Sequence, residues 1–175
     1  MGRCASRPFG YKDRLAPMQV VDILSPARIV VSKDGGDAIH TRSEVLHRLA
    51  KLLAAGDARL DAASVESILT RREDQQSTGV GGGVAIPHAA IEDIDQIVGA
   101  LLLCPDPVGF GAIDGMPVSI FFAVIGPRRA VGEHLKTLAR VSRLLRDDGF
   151  RQRLVGAEDG RAAFELIASE EGRPA

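Results

Sequence analysis

Residues 97–125 consist of I-V-G-A-L-L-L-C at Ile97–Cys104, P-D-P-V-G-F-G-A-I-D-G-M-P at Pro105–Pro117, and V-S-I-F-F-A-V-I at Val118–Ile125. The two outer segments are apolar, and the segment between them is rich in Gly, Pro and Asp. Short apolar segments bounded by Pro or Gly are typical of strands buried on both faces. We therefore predict two buried strands joined by a loop over Pro105–Pro117.

Helical signals lie on both sides of this pair of strands. Thr41 and Glu44 have the spacing of a capping box, and Gly56 is suited to end the helix that they open. A second helix is predicted to open at Asp61. The positions expected to face the core are Leu46, Leu49, Ala50 and Leu53 in the first helix and Ala62, Val65, Ile68 and Leu69 in the second. Further helices are predicted over residues 132–146, around Phe150–Val155 and over Arg161–Ala168.

Two shorter β-prone segments complete the pattern. Arg28–Ser32 precedes the first helix, and Val84–Ile86 follows a glycine-rich loop at Ser77–Gly83. The order is then strand, two helices, three strands and helices, which excludes strict βαβ alternation. We expect a mixed α/β fold, in which a mixed parallel and antiparallel sheet of about five strands is flanked by helices on both sides.

The two ends of the chain differ from the middle. Residues 1–17 contain four basic residues and one acidic residue, with no periodic apolar pattern. This leader is expected to be flexible; alternatives are a basic interaction arm, or a natural translation start at Met18. We assign 18–171 to one domain and expect 172–175 to fray.

The composition excludes several classes of protein. The net charge is −1, and the chain has no Trp and one Tyr. A nucleic-acid partner is therefore not expected, although a local basic patch is compatible with the composition. Membrane insertion and a secretory signal are not expected either, because no apolar segment is long enough. With only Cys4 and Cys104 available, no disulfide framework is expected, and we predict a cytoplasmic protein.

Familiar ligand-binding motifs are absent from the sequence. A dinucleotide fingerprint starting at Gly79 would need glycine where Val84 stands, and no Gly-Lys-Ser/Thr of a P-loop occurs. The four histidines are scattered at 40, 47, 88 and 134, without metal-ligand spacing. We therefore predict no specific metal site.

His88 is the first candidate for chemistry, in the stretch S-T-G-V-G-G-G-V-A-I-P-H-A. The preceding Pro87 fixes where the ring emerges, and small residues on both sides leave the imidazole uncrowded. A loop of small residues can also point backbone N–H groups at an anion. A neutral imidazole nitrogen is a nucleophile at neutral pH. His88 is therefore either a nucleophile or a turn histidine beside a strand.

Four other residues have two interpretations each. His134 precedes an amphipathic helix and is either a boundary histidine packed on the sheet or a donor to an anion. Arg72 is either a solvated charge after a helix or a guanidinium over a phosphoryl group. Ser77 and Thr78 are either loop caps or hydroxyl donors.

The stretch from Arg72 to His88, R-E-D-Q-Q-S-T-G-V-G-G-G-V-A-I-P-H, resembles the active-site signature of a known family. The family is the fructose/mannitol-type (type 2) EIIA domains of the bacterial phosphoenolpyruvate-dependent phosphotransferase system. Asp106–Pro127 and the segment H-L-K-T-L-A-R-V-S-R-L-L from His134 resemble the next two blocks of that family. The three ordered blocks extend the resemblance over Val20–Ser169, and the best fit is to the nitrogen-related regulatory EIIA.

The resemblance implies a phosphocarrier function. His88 matches the histidine that accepts a phosphoryl group from an HPr-like donor, and His134 the second histidine, which steadies that group. Arg72 matches an arginine near the phosphate, with Ser77 and Thr78 as supporting residues. The partners implied are the donor and either a downstream regulatory target or an EIIB. The family has a five-stranded mixed sheet flanked by helices and needs no cofactor.

Two other functions stay open beside the regulatory phosphocarrier. The chain could be the EIIA component of a fructose/mannitol-type uptake system, or a docking module without phosphoryl transfer. It departs from the family at Gly82, where Asn is frequent, at Gln75-Gln76, where Leu-Gly is usual, and at Ala90, where a basic residue is common. None of these departures removes a residue expected to contact the phosphoryl group.

Overall fold

The computed structural model of the chain describes residues 18–33, 38–92 and 94–172. The predicted leader at 1–17 lies outside the described residues, as do 173–175 of the predicted C-terminal fray. Within them, a six-stranded mixed sheet separates two layers of helices. The predicted fold class is therefore confirmed, and the assignment of 18–171 to one domain remains a prediction.

The strands and helices follow the predicted sequence of a strand, two helices, a run of strands and then helices, but in the described residues that run has five strands instead of the predicted three. The strands are β1 (Ile29–Val31), β2 (Gly79–Gly81), β3 (Val84–Ala85), β4 (His88–Ile91), β5 (Val98–Val108) and β6 (Val118–Pro127). The helices are α1 (Arg42–Ala54), α2 (Ala62–Gln75), α3 (Val131–Leu144), α4 (Asp148–Val155) and α5 (Gly160–Glu171), and short 3-10 turns cover Val20–Asp22 and Pro26–Arg28.

The strand β6 organises the sheet, because three other strands pair with it. It is antiparallel to β5, and parallel to both β3 and β4, which follow one another along its other edge. The strand β1 is parallel to β5, and β2 is antiparallel to β3. The two apolar segments predicted as buried strands are therefore neighbours in the middle of the sheet.

Alternation along the paired strands divides the core between the two faces. Leu102 and Phe121 pack with α1 and α2 on one face. Leu101 and Phe122 pack on the other face with residues of α3, α4 and α5. All four side chains are fully buried, so both faces of the sheet stabilise the fold by removing apolar surface from water.

The first two helices begin with the predicted side-chain caps. The Glu44 N–H donates to Thr41 Oγ1 over 3.2 Å, and the Thr41 N–H donates to a Glu44 carboxylate oxygen over 3.0 Å. The Ser64 N–H donates to Asp61 Oδ2 over 2.9 Å. Gly56 adopts φ +86° just after α1, a conformation that glycine adopts at little cost.

Two loop predictions were wrong. Ser77–Gly83 contains the short strand β2, because Gly79 and Gly81 pair with β3. The strand β5 continues through Pro105 and Pro107 to Val108, although prolines usually end strands. The register shifts between Leu103 and Val108, and both prolines are exposed, so they occupy an irregular section that does not need their missing N–H groups.

Candidate active site around His88

The backbone fixes His88 firmly at the first position of β4. Ile86 and Pro87 separate the end of β3 from the start of β4. The Pro87 carbonyl accepts a hydrogen bond from the Val124 N–H over 2.9 Å. His88 itself pairs in register with Val124 of β6. The imidazole is half-buried, so it is reachable from solvent but is carried by the central part of the sheet.

A hydrogen bond to the chain itself fixes the tautomer of His88. Its Nδ1 lies 2.8 Å from the carbonyl oxygen of Ile86. A carbonyl oxygen only accepts hydrogen bonds, so Nδ1 must carry the proton. In the neutral ring the lone pair is then on Nε2. The ring nitrogen of His88 with an available lone pair is therefore Nε2.

A pocket of about 370 Å³ gathers most of the residues proposed from the sequence. His88 lines it together with Arg72, Ser77 and Thr78, and residues of α3 form another part of its wall. His134 does not line this pocket, but its ring centroid lies 6.0 Å from that of His88, with the ring planes inclined by 48°. The structure thus brings all five predicted residues to one region.

His134 is enclosed in the first turn of α3. The side chain is 8% exposed, and Nδ1 is the one buried side-chain nitrogen or oxygen without a hydrogen-bond partner in the described residues. A Cβ on Gly126 would lie 2.5 Å from this nitrogen, so the ring rests directly on the backbone of β6.

The surroundings of His134 favour a neutral ring. Burial, and secondarily the nearby His88, lower the pKa of His134 below its ordinary value of 6.5. An N–H buried without an acceptor is costly, so the proton belongs on Nε2 rather than on the enclosed Nδ1. The ring is then a hydrogen-bond donor rather than a second nucleophile.

Arg72 lies at the end of α2 and faces the pocket. Its Nη1 donates to the carbonyl oxygen of Gln76 over 2.9 Å, which satisfies a backbone acceptor just after the helix. A guanidinium has five N–H donors in a planar fork. The same side chain can therefore hold the loop and present further donors to an anion.

The hydroxyl groups of Ser77 and Thr78 are bonded to protein acceptors. Ser77 Oγ donates to the Phe110 carbonyl over 3.3 Å and accepts from the Gly79 N–H over 3.2 Å. Thr78 Oγ1 donates to Glu73 Oε2 over 2.5 Å. In this arrangement both residues shape the loop beside His88, and their support of a phosphoryl group remains a prediction.

Glu73 belongs to the site, although the sequence analysis did not single it out. Its carboxylate is 2% exposed and also accepts the Thr78 N–H over 2.9 Å. The Thr78 carbonyl accepts the Ile86 N–H over 3.0 Å, and the Ile86 carbonyl accepts from His88 Nδ1. A chain of hydrogen bonds thus connects Glu73 to the His88 ring. The available signal was the position of Glu73, four residues after the buried Leu69 on the core stripe of α2.

The glycine loop at Gly81–Gly83 is held by a hydrogen bond to Asp114. Gly81, Gly82 and Gly83 have φ values of +92°, +63° and +75°, which favour glycine. The Gly82 N–H donates to Asp114 Oδ2 over 2.9 Å. Bonds from Gly82 and Met116 lower the pKa of the Asp114 carboxyl. The Gly82 N–H is therefore committed to Asp114, whereas the sequence analysis considered such loop N–H groups for an anion.

In 18–33, 38–92 and 94–172, no three His, Cys, Asp or Glu side chains are grouped in a way that would hold a metal ion. Over the same ranges, none of the helices is long and apolar enough to cross a membrane.

Comparisons with known proteins agree with this geometry. A family model described as "Phosphoenolpyruvate-dependent sugar phosphotransferase system, EIIA 2" matches residues 30–170. A "Nitrogen regulatory protein" of Bradyrhizobium diazoefficiens is 32% identical over 151 residues, which cover 86% of this chain and 95% of that protein. The crystal structure of nitrogen regulatory protein IIA-Ntr from Neisseria meningitidis superposes with a TM-score of 0.76 at 30% identity, covering 85% of this chain and 98% of that one.

A sugar-specific relative matches over a smaller share of its own length. The fructose-specific EIIABC component of the phosphotransferase system in Bacillus subtilis is 29% identical over 153 residues. These residues cover 86% of this chain but 23% of that protein. The similarity there is confined to one part of a larger protein.

Proposed function

The chain belongs to the EIIA 2 family of the phosphoenolpyruvate-dependent sugar phosphotransferase system and is a phosphocarrier of the nitrogen-regulatory type; from this premise we propose that Nε2 of His88 is its phosphoryl acceptor. The donor is an HPr-like phosphocarrier protein. The phosphorylated and unphosphorylated forms bind a downstream target differently, which makes the phosphorylation state a signal.

The orientation of His88 is the observation that supports this proposal best. Its Nδ1–H donates to the Ile86 carbonyl, so the lone pair on Nε2 is free to react. The pocket beside the ring is open to a partner, and the ring itself is half-buried. A turn histidine without a chemical role would not need this fixed tautomer.

The transfer step follows from these contacts. The Nε2 lone pair attacks the phosphorus atom of the donor's phosphohistidine in line with the phosphorus–nitrogen bond that breaks. The electrons of that bond return to the donor's imidazole. The His88 ring, now bonded to phosphorus through Nε2, keeps its proton on Nδ1 and becomes cationic. The Ile86 carbonyl then stabilises a positively charged donor, which strengthens the hydrogen bond.

Arg72 and His134 stabilise the charge on the phosphoryl oxygens. Arg72 contributes N–H groups from the wall of the pocket, and neutral His134 contributes its Nε2–H from the ring beside His88. Both hydrogen-bond donors are in position before the phosphorylated partner protein binds. Preorganised donors of this kind stabilise charge without reorganising during the reaction.

The first experiment tests the acceptor residue. The purified protein is mixed with phosphoenolpyruvate, Enzyme I and the HPr-type carrier of the same organism, and intact-mass spectrometry is performed at neutral pH with an acid-treated control. We expect one acid-labile phosphoryl group on the wild type and on His40→Ala, an exposed control histidine, and none on His88→Ala. Phosphorylation of His88→Ala, or none on the wild type, would contradict the proposal.

Two further measurements test which imidazole nitrogen is phosphorylated and whether the role is regulation or sugar uptake. Phosphorus NMR of the phosphorylated protein distinguishes the two imidazole positions, and a signal from phosphate on Nδ1 would refute the Nε2 assignment. Transfer from the phosphorylated protein to the cysteine of a separate EIIB would favour the sugar-uptake role, for which the similarity to the Bacillus subtilis protein is the supporting observation. Retained phosphate favours the regulatory role.

A further inference from the structure

Four cations lie on or just after the solvent side of α3. They are Lys136, Arg140, Arg143 and Arg146, and we call them the basic rim. None of them forms an ion pair with a carboxylate of residues 18–33, 38–92 or 94–172. Many other exposed arginines of the chain are paired: Arg59 with Asp57 and Asp95, Arg128 with Glu92, and Arg161 with Glu165.

The basic rim borders the His88 pocket. Ala139 and Ser142 line that pocket, and Arg143 and Arg146 follow them by four residues each. Residues four apart are neighbours on a helical surface. Arg146 also lines an adjoining pocket of about 190 Å³ that shares Val80 and Ser142 with the first. Cations are therefore placed where a protein docked on His88 would extend over α3.

Exposed apolar side chains accompany these cations. Val80 of the pocket wall is 53% exposed, and Leu135, next to His134, is 61% exposed. An apolar centre bordered by charges is typical of an interface between proteins. The exposed large apolar side chains of the described residues are all aliphatic (Val80, Ile113, Met116, Val131 and Leu135), which gives nucleic-acid bases no aromatic surface for stacking.

We propose, building on the function given above, that the phosphoryl-donor protein carries an acidic surface beside its phosphohistidine and that the basic rim attracts that surface. The chain as a whole has a net charge of −1, so the attraction comes from the local arrangement of the cations. Local charge of this kind raises association rates by about 10- to 1,000-fold.

The same rim also favours release after transfer. The phosphoryl group carries close to two negative charges, and it moves from the donor to His88. The donor's surface becomes less negative, while the region beside the rim becomes less positive. The electrostatic attraction between the two proteins therefore weakens after transfer, because both surfaces have lost part of their charge.

The test measures kcat/KM for transfer from the phosphorylated HPr-type carrier of the same organism, over a range of sodium chloride concentrations. We expect the wild-type value to fall by about tenfold from low to high salt. The double variant R143E/R146E loses about tenfold or more at low salt, has a flatter salt dependence and keeps the wild-type kcat. R143A/R146A lies between the two.

Lys51→Glu is a control for overall charge. Lys51 is exposed on α1, which packs on the opposite face of the sheet. Its substitution changes the net charge in the same direction, and we expect kcat/KM to stay within about twofold of the wild type. Circular dichroism and thermal unfolding verify that each variant is folded.

Several outcomes would overturn the proposal. A wild-type kcat/KM that does not depend on salt would do so, as would unchanged transfer by folded R143E/R146E. Binding of a labelled DNA duplex that R143E/R146E abolishes, with transfer intact, would assign the rim to nucleic acid instead. Absence of any phosphorylation of the wild type would contradict the proposed function itself, and is therefore distinguishable from these results.

Discussion

His88 and His134 have ring centroids 6.0 Å apart, and the chain surrounds the two imidazoles differently. His88 is half-buried at the start of β4, and its Nδ1 is satisfied by a backbone carbonyl. His134 is enclosed at the start of α3, and its Nδ1 has no partner within the described residues. The first arrangement exposes a lone pair, and the second favours a neutral donor. Identical side chains therefore acquire different chemistry from their backbone surroundings.

Removing the His134 ring should have the largest effect on the rate of phosphoryl transfer. We expect His134→Ala to accept the phosphoryl group on His88 about 100- to 1,000-fold more slowly, because one preorganised donor to the phosphoryl oxygens is lost. Rapid-quench measurement of transfer from the phosphorylated donor protein tests this rate. His134→Gln, which restores an N–H donor, should recover part of the loss. Equal rates for wild type and His134→Ala would show that the two rings do not cooperate.

Loosening the support of His88 should have a smaller effect. We expect Glu73→Gln to lower the transfer rate about tenfold and stability by about 1–3 kcal/mol, because one of the two carboxylate oxygens that accept from Thr78 is replaced by an NH2 group, which only donates. Urea unfolding and the pH profile of the transfer rate measure the two effects. Asp74→Asn, an exposed change next along α2, is the control. A Glu73→Gln pH profile identical to that of the wild type would indicate a purely structural role.

The titration of His134 should have the smallest effect. Its pKa is lowered in the folded protein from 6.5, so the unfolded chain binds more protons below that pH. The free energy of unfolding should therefore be unaffected above about pH 6.5, and should decrease as the pH falls from there towards the lower folded pKa. The decrease cannot exceed about 1.4 kcal/mol per pH unit for one group.

Urea unfolding of the wild type and His134→Gln between pH 5 and 8 tests the contribution of this ring. The variant should lose less stability than the wild type on acidification through that window. Parallel curves for the two proteins would mean that His134 is not held neutral by burial.

Local signals explain what could be predicted from the sequence. Thr41 and Asp61 cap helices through residues three positions away. The apolar segments that end at Cys104 and Ile125 are each continuous in the sequence. The stretch from Arg72 to His88 is continuous, so its residues were associated before their geometry was known. His134 was linked to them only through the family resemblance.

Features that depend on distant contacts could not be predicted. Glu73 lies among charged neighbours in the sequence, between Arg72 and Asp74, and its burial requires the loop at Thr78 to fold back onto it. The strand β5 passes Pro105 and Pro107 because the partner strand β6 resumes pairing at Val108. The basic rim depends on which carboxylates approach α3 in space, and sequence spacing does not give this information.

The pairing of β4 with β6 has a consequence for how a phosphorylation signal can leave the molecule. The segment that begins at His88 pairs along one edge with β6, of which nearly every residue is buried, so the amide protons that it directs at β6 should exchange with solvent only on extensive unfolding. An acceptor held in this way has no local opening of its own through which to transmit a change. Under the proposed function, a target protein would then contact the phosphoryl group itself rather than respond to a shape change elsewhere in the molecule.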